Sequence, residues 1–253
     1  EWPLLSIEER LQATENLVSV VGKRVPLIVH CGANSTQTAV RPARHARDAE
    51  ASAISLIAPS FYRLTDDALV GHFAVVAEAV PELPVFLYNI PSHTGNDITP
   101  AIAARVAARC SNVVGMKYSG DDFLRFRCYR KLLGSDFALF CGNDSFALPW
   151  LVEGADGLVS GNASAYPEVL VGLHESFRKA SLRGAKRAQE VLDEIIEDRD
   201  AGSELSVFKN ILACRGVSVG DVRPPLPRIG QNGLSVCLRQ VEHLVDRGVL
   251  PAQ

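Results

Sequence analysis

Tyr88 and Lys117 each stand at the end of a short apolar run, Val85-Phe86-Leu87-Tyr88 and Val113-Val114-Gly115-Met116-Lys117, with a helix-sized segment between them. If the two runs are neighbouring strands of a parallel sheet, a phenol and an amine meet at one edge. The amine can then attack a keto carbon and form a Schiff base, while the phenol moves the protons that this step and a following C–C step require. A lysine is a nucleophile only when neutral, and burial at the end of an apolar strand favours that form. Gly115, two residues earlier on the same face, leaves room for a bulky inward side chain. Each residue also has a plainer reading. Lys117 could reach out to water from a strand end, and Tyr88 could be a half-buried aromatic with its hydroxyl satisfied at a rim.

The elements that would position the pair repeat along the chain. Apolar runs of about five residues recur at 25–30, 53–58, 85–88, 113–117, 137–141 and 157–160. They are near-continuous rather than alternating, as parallel strands covered by helices are. Between them lie amphipathic stretches with helix-start signals: Thr65-Asp66-Asp67 before 66–79, Thr99-Pro100 before 100–109 and Asp121-Asp122 before 122–133. Six βα units in a row predict an α/β fold, a β/α barrel rather than a doubly wound sheet. The predicted division is a barrel over 1–180 and a helical C-terminal extension over 181–253. Within the tail, 169–180 and 185–198 read as helices, Gly216–Gly233 as an extended connection, and about 235–247 as a last helix. A closed (β/α)8 TIM barrel has two more strands than the six visible, and Ser6 with Glu9 forms a capping-box pattern almost at the start. The expectation is that the first two strands precede Glu1.

Composition narrows the function classes. The chain has 253 residues, 47% hydrophobic and 22% charged, enough for a sizeable core. A net charge of −3 and scattered basic residues predict no nucleic-acid partner. No run approaches the length of a membrane span and no signal-peptide pattern opens the chain, so a cytoplasmic protein is expected. The six cysteines are widely spaced, with no C-x-x-C pair, and read as buried thiols. The histidines show no metal-ligand spacing, so neither a metal nor another cofactor is expected.

Four blocks carry a resemblance: Gly32-Ala33-Asn34, Tyr88-Asn89-Ile90-Pro91-Ser92-His93-Thr94-Gly95, Gly115-Met116-Lys117 and Gly154-Ala155-Asp156-Gly157. In this order and register, over about residues 1–180 and more loosely beyond, the chain resembles the dihydrodipicolinate synthase/N-acetylneuraminate lyase family of class I aldolases. The resemblance implies a β/α barrel with a helical extension, a homo-oligomer built as a dimer of dimers, and a small 2-oxo acid of the pyruvate type. That acid would be bound as a Schiff base on Lys117, with Tyr88 as proton relay. It also implies that Glu1 ends a loop holding the substrate carboxylate, the rest of which would lie upstream.

Departures from the family pattern bear on the second substrate. Dihydrodipicolinate synthases carry arginine at the position of His93, and a smaller, mostly neutral side chain is no conservative replacement for a permanently charged fork. Their cross-interface tyrosine matches Phe61, with Tyr62 next to it. Sialate lyases have an acidic residue after the aspartate that matches Asp144, where this chain has Ser145, and a serine where it has Gly161. The small polar set Ser119, Asn143, Asp144, Ser160 and Asn162 suits hydroxyls, although each could equally be a cap or turn residue. The expected activity is a Schiff-base lyase, aldolase or dehydratase, acting on a 2-keto-3-deoxy sugar acid or on pyruvate plus an aldehyde. Its substrate contacts would be His93, Ser119, Asp144, Gly161 and Phe61. Two alternatives stay open: 4-hydroxy-tetrahydrodipicolinate synthesis, and a non-catalytic barrel that binds a keto acid.

Overall fold

The structure, a computed structural model, describes residues 1–197 and 204–251. It divides into two compact units, Leu5–Gly142 and Glu1–Leu4 with Asn143–Gln253.

The first unit alternates helix and strand, with one extra helical turn after its third strand. Helix α1 (Ile7–Val21) leads to β1 (Ile28–His30), α2 (Thr36–Asp48), β2 (Ala53–Ile57) and α3 (Asp66–Glu78). Strand β3 (Val85–Asn89), the one-turn α4 (Pro91–Thr94), α5 (Pro100–Arg109), β4 (Val113–Tyr118), α6 (Phe123–Leu133) and β5 (Ala138–Cys141) complete it. The strands lie in the order β1-β2-β3-β4-β5, each parallel to the next. The helix starts follow from their caps. Ser6 accepts from the Glu9 amide at 3.2 Å while Glu9 accepts from the Ser6 amide at 2.8 Å, a complete capping box. Thr65, Thr99 and Asp122 cap α3, α5 and α6 through their side-chain oxygens.

Register fixes which residues share a face. Ser55, Phe86, Gly115 and Ala138 stand in line across β2–β5, and so do Ile57, Tyr88, Lys117 and Phe140. The opposite face carries Ile54, Leu56, Leu87, Met116 and Leu139, all fully buried. Each such side chain contributes about 1.5–3 kcal/mol by leaving water, so this is the face that holds the unit together. Gly115 leaves room for a bulky inward side chain, as the sequence predicts. A Cβ there would lie 2.6 Å from Phe86, whose ring packs on Phe140 with centroids 5.6 Å apart.

Between α2 and α3, His72 is buried with its Nδ1 2.9 Å from the Thr36 hydroxyl. Burial pushes its imidazole down from 6.5 to about 4. The fold refuses a proton that the unfolded chain takes up below 6.5, so this contribution is complete above that pH and is lost as pH falls toward 4. Lowering the pH from 7.5 to 4.5 should therefore cost roughly 2–3 kcal/mol through this residue. Denaturant melts at both pH values should show a correspondingly smaller acid loss in His72→Gln. Equal losses in the two proteins would refute the assignment.

The second unit holds α7 (Ala147–Val152), the short strand β6 (Gly157–Leu158), α8 (Pro167–Arg178), α9 (Leu182–Glu197), α10 (Glu204–Cys214) and α11 (Gln231–Asp246). Trp150 and Tyr166 are fully buried in it, and the Tyr166 hydroxyl donates to Gln240 of α11 at 2.8 Å. The expected boundary at 180 falls in the turn between α8 and α9, inside this unit. The expected helix 185–198 is seen to Glu197, and Asp198 lies outside the described residues.

Three expectations need correction. The strand expected over 157–160 ends at Leu158, because Ser160 turns away to bond Asp144. The last helix starts at Gln231, inside the stretch expected to be extended. Gly233 in its first turn costs about 1 kcal/mol of helix propensity, but the stripe of buried Cys237, Val241 and Leu244 outweighs it. The thiols are not all buried either: Cys128 is exposed and Cys214 half-buried, while Cys31, Cys110, Cys141 and Cys237 are buried. Among the described residues no helix is long and apolar enough to cross a membrane, and no three metal-ligating side chains are grouped to hold an ion.

Candidate active site

Tyr88 and Lys117 are partners in the β3–β4 ladder. Both side chains leave the same face, and the amine reaches across so that Nζ lies 3.2 Å from the phenol oxygen and 4.4 Å from the ring centroid. Both residues are half-buried. The geometry brings an amine and a phenol within hydrogen-bond reach, an arrangement that covalent catalysis on a carbonyl would use.

The residues after Tyr88 hold this strand end in place. Asn89, fully buried on the opposite face, donates from Nδ2 to Asp97 at 2.9 Å, to the Ile98 carbonyl at 3.2 Å and to the Tyr129 hydroxyl at 3.1 Å. Its Oδ1 accepts from the Ile98 amide at 3.0 Å. Arg125 of α6 closes the group by donating to Asp97 at 2.6 Å, and the buried Tyr129 hydroxyl donates to the Ile98 carbonyl. Next to Asp97, Asn96 donates to the carbonyls of Pro59 and Tyr62 and accepts from the Leu64 amide. Asn34 accepts from both the amide and the hydroxyl of Ser60 at 2.9 Å. These side chains lace the loops at the strand ends together. Their polar groups are spent on backbone and on one another, which makes them scaffold for the pair rather than reacting groups.

The other candidates of this unit differ in setting. Ser119 follows Lys117 by two residues, and its Oγ is closed off from solvent without a hydrogen-bond partner. His93 is exposed on α4, with Nδ1 3.0 Å from the Ser92 hydroxyl. Phe61 is 87% exposed at a φ of +79°, its ring edge-on to Tyr62, so within this chain it encloses nothing. In the second unit, the Asp144 carboxylate accepts from Ser160 at 2.5 Å and from Asn162 at 2.6 Å, while Gln189 donates to its carbonyl at 3.0 Å. Gly161 is exposed there, and a Cβ on it would lie 3.2 Å from Phe208.

Two residues join the pair without having been singled out by type and spacing. His30 ends β1, and its ring meets Tyr88 edge-on, with centroids 6.2 Å apart and planes at 85°. Burial, then the charges of Arg10 and Lys117, push this imidazole down to about 3, so it is neutral. Gly142 follows β5, and a Cβ there would lie 2.0 Å from Ser119 Oγ and 2.3 Å from Lys117 Cε. Lys117 therefore passes directly over a backbone that has no side chain to give. The signal for His30 is the one that marks Tyr88 and Lys117, a polar residue ending an apolar run.

The chain is similar to proteins of one family in both sequence and fold. A sequence model described as "Dihydrodipicolinate synthetase family" matches residues 1–243. The 4-hydroxy-tetrahydrodipicolinate synthase of Syntrophus aciditrophicus is 33% identical over 229 residues, covering 90% of this chain and 78% of its own. Among solved structures, the sialic acid aldolase of Ruminococcus gnavus superimposes with a TM-score of 0.92 at 26% identity, covering 97% of this chain and 83% of its own. A prophage protein of the dihydrodipicolinic acid synthase family from E. coli K12, solved in complex with pyruvate, gives a TM-score of 0.89 at 27% identity, with 96% and 83% covered.

Proposed function

The chain belongs to the dihydrodipicolinate synthetase family of class I lyases, and from that premise we propose that it forms a Schiff base between Lys117 and a 2-oxo acid of the pyruvate type. The observation that carries this reading is the 3.2 Å approach of Lys117 Nζ to the Tyr88 hydroxyl on adjacent parallel strand ends. The amine attacks C2 of the keto acid, the carbinolamine loses water, and the resulting iminium accepts the electron pair released when a bond at C3 breaks. Tyr88 gives and takes the protons at these steps. The iminium is itself the electron sink, so the chemistry needs no cofactor and no metal.

The proposed substrate is a 2-keto-3-deoxy sugar acid, or pyruvate with an aldehyde partner. Ser119, with its unsatisfied hydroxyl next to Lys117, is the group best placed to meet a substrate hydroxyl. The Asp144 cluster supports this less, because Ser160 and Asn162 already occupy its carboxylate. A second reading, 4-hydroxy-tetrahydrodipicolinate synthesis, is favoured by the activity for which the Syntrophus relative is named. Against it stand His93 and Phe61, which offer neither a guanidinium nor a phenol. For assembly we propose a homo-oligomer, a dimer of dimers, in which the exposed Phe61–Tyr62 pair meets another copy.

Borohydride reduction in the presence of pyruvate, followed by peptide mass analysis, tests the class of chemistry. The expected result is one reduced adduct per chain, on Lys117. A chain that stays unlabelled, or is labelled at another lysine, would overturn the proposal. Aldehyde panels then rank sugar-derived partners against the aspartate semialdehyde that the second reading requires.

A further inference from the structure

The Schiff-base chemistry gives no task to His30, yet this residue packs on the proton carrier. Register alone would not bring them together. His30 pairs with Ser55, and Ser55 pairs with Phe86, two residues short of Tyr88. The stagger of a curving parallel sheet supplies the difference, and the two rings meet.

His30 is anchored for this contact. The Ser55 hydroxyl lies 3.2 Å from Nδ1, and Arg10, itself buried, donates to the His30 carbonyl at 2.9 Å. The residue as a whole is half-buried, but its Nε2 is closed off from solvent. A Cβ on Gly32 would lie 2.9 Å from its Cε1, so the chain also leaves space for the ring there. Burial first, then the charges of Arg10 and Lys117, keep this ring in its neutral form. Tyr88 thus has an uncharged, tethered ring packed edge-on against it and the amine over its own ring.

We propose that His30 is a positioning residue for Tyr88: its tethered imidazole bars the phenol from swinging away from Lys117, so that the hydroxyl is in place when a proton must move. This rests on the Schiff-base reading above. It separates two readouts: the final extent of trapping reports whether the amine can form the adduct at all, whereas the rate of exchange reports how fast protons move, which needs the phenol held in position.

The experiment uses the full chain and pyruvate, with two readouts. Borohydride trapping reports the adduct, and exchange of the pyruvate methyl protons in D2O, followed by NMR, reports proton movement. His30→Ala should trap pyruvate on Lys117 to the wild-type extent but exchange methyl protons about ten- to thirtyfold more slowly, in kcat rather than KM. His30→Phe, which restores a ring without its nitrogens, should recover most of the rate. Ser55→Ala, which frees the ring but keeps it, should fall between. Exchange at the wild-type rate in His30→Ala would overturn the proposal, and so would His30→Phe no faster than His30→Ala. Loss of trapping in His30→Ala and Ser55→Ala, with wild-type melting curves, would move the role from Tyr88 to the amine and overturn it too. A wild-type chain that forms no adduct sinks the Schiff-base reading itself, a result separate from any difference among the variants.

Discussion

Replacing Lys117 with alanine or with arginine should abolish adduct formation and lower methyl-proton exchange by at least about a thousandfold. The alanine variant has no nucleophile. The arginine variant keeps length and charge, but a guanidinium stays protonated and cannot attack a carbonyl. Neither change should unfold the chain. Lys117 is half-buried and spends its amine on the Tyr88 hydroxyl, and the opposite sheet face supplies the core. Thermal melts should therefore stay within about 1 kcal/mol of the parent. The pair of results matters: lost exchange with an intact fold assigns the chemistry to the amine, whereas exchange that survives in Lys117→Arg would remove Lys117 from the mechanism. Tyr88→Phe provides the contrast, because it keeps the amine and should still trap pyruvate given time, more slowly than the parent, while exchanging slowly.

How far the sequence leads depends on the physical origin of each feature. Parallel strands covered by helices write themselves as continuous apolar runs, so the five strands of the first unit are legible, and so are the helices whose caps are Ser6, Thr65, Thr99 and Asp122. Strand ends that are neighbours in sequence order are neighbours in the sheet, which makes the Tyr88–Lys117 meeting readable as well. His30 shows where this logic stops. Val25-Pro26-Leu27-Ile28-Val29-His30 ends on a polar side chain just as the other two runs do. Its partner, however, lies two strands away and is reached through stagger, a property of the assembled sheet that no local spacing encodes. Asn89 and Asn96 show the opposite problem. Asn89 lies within a block that looks like chemistry and Asn96 directly follows it, but their hydrogen bonds run to backbone and to Asp97 and Tyr129. Specificity is the least legible layer, since Phe61 and His93 are exposed and the Asp144 carboxylate is already engaged within its own unit.

Gly142→Ala should cut activity sharply, though less than losing the amine does, while leaving the fold in place. The added methyl would lie 2.3 Å from Lys117 Cε and 2.0 Å from Ser119 Oγ, so both must move. Both are side-chain atoms, one near the end of a flexible chain, and they can yield without shifting the sheet. The Gly142 amide keeps its 2.9 Å bond to the Tyr118 carbonyl, and the backbone needs no left-handed conformation there. What cannot be kept is the position of Nζ against the Tyr88 hydroxyl. A displacement of about an ångström in a reacting group is worth roughly a hundredfold in rate. Methyl-proton exchange should fall by about that factor or more, with borohydride trapping slowed and melting little changed. Gly115→Ala is the informative control. There the new methyl would meet the ring of Phe86 at 2.6 Å and the backbone carbonyl of Ala138 at 2.7 Å, and a backbone atom cannot step aside. That variant should lose stability first and activity only as a consequence. If Gly142→Ala behaves like Gly115→Ala, the glycine serves packing alone. If it exchanges protons at the parent rate, Lys117 does not react from the position seen over Gly142.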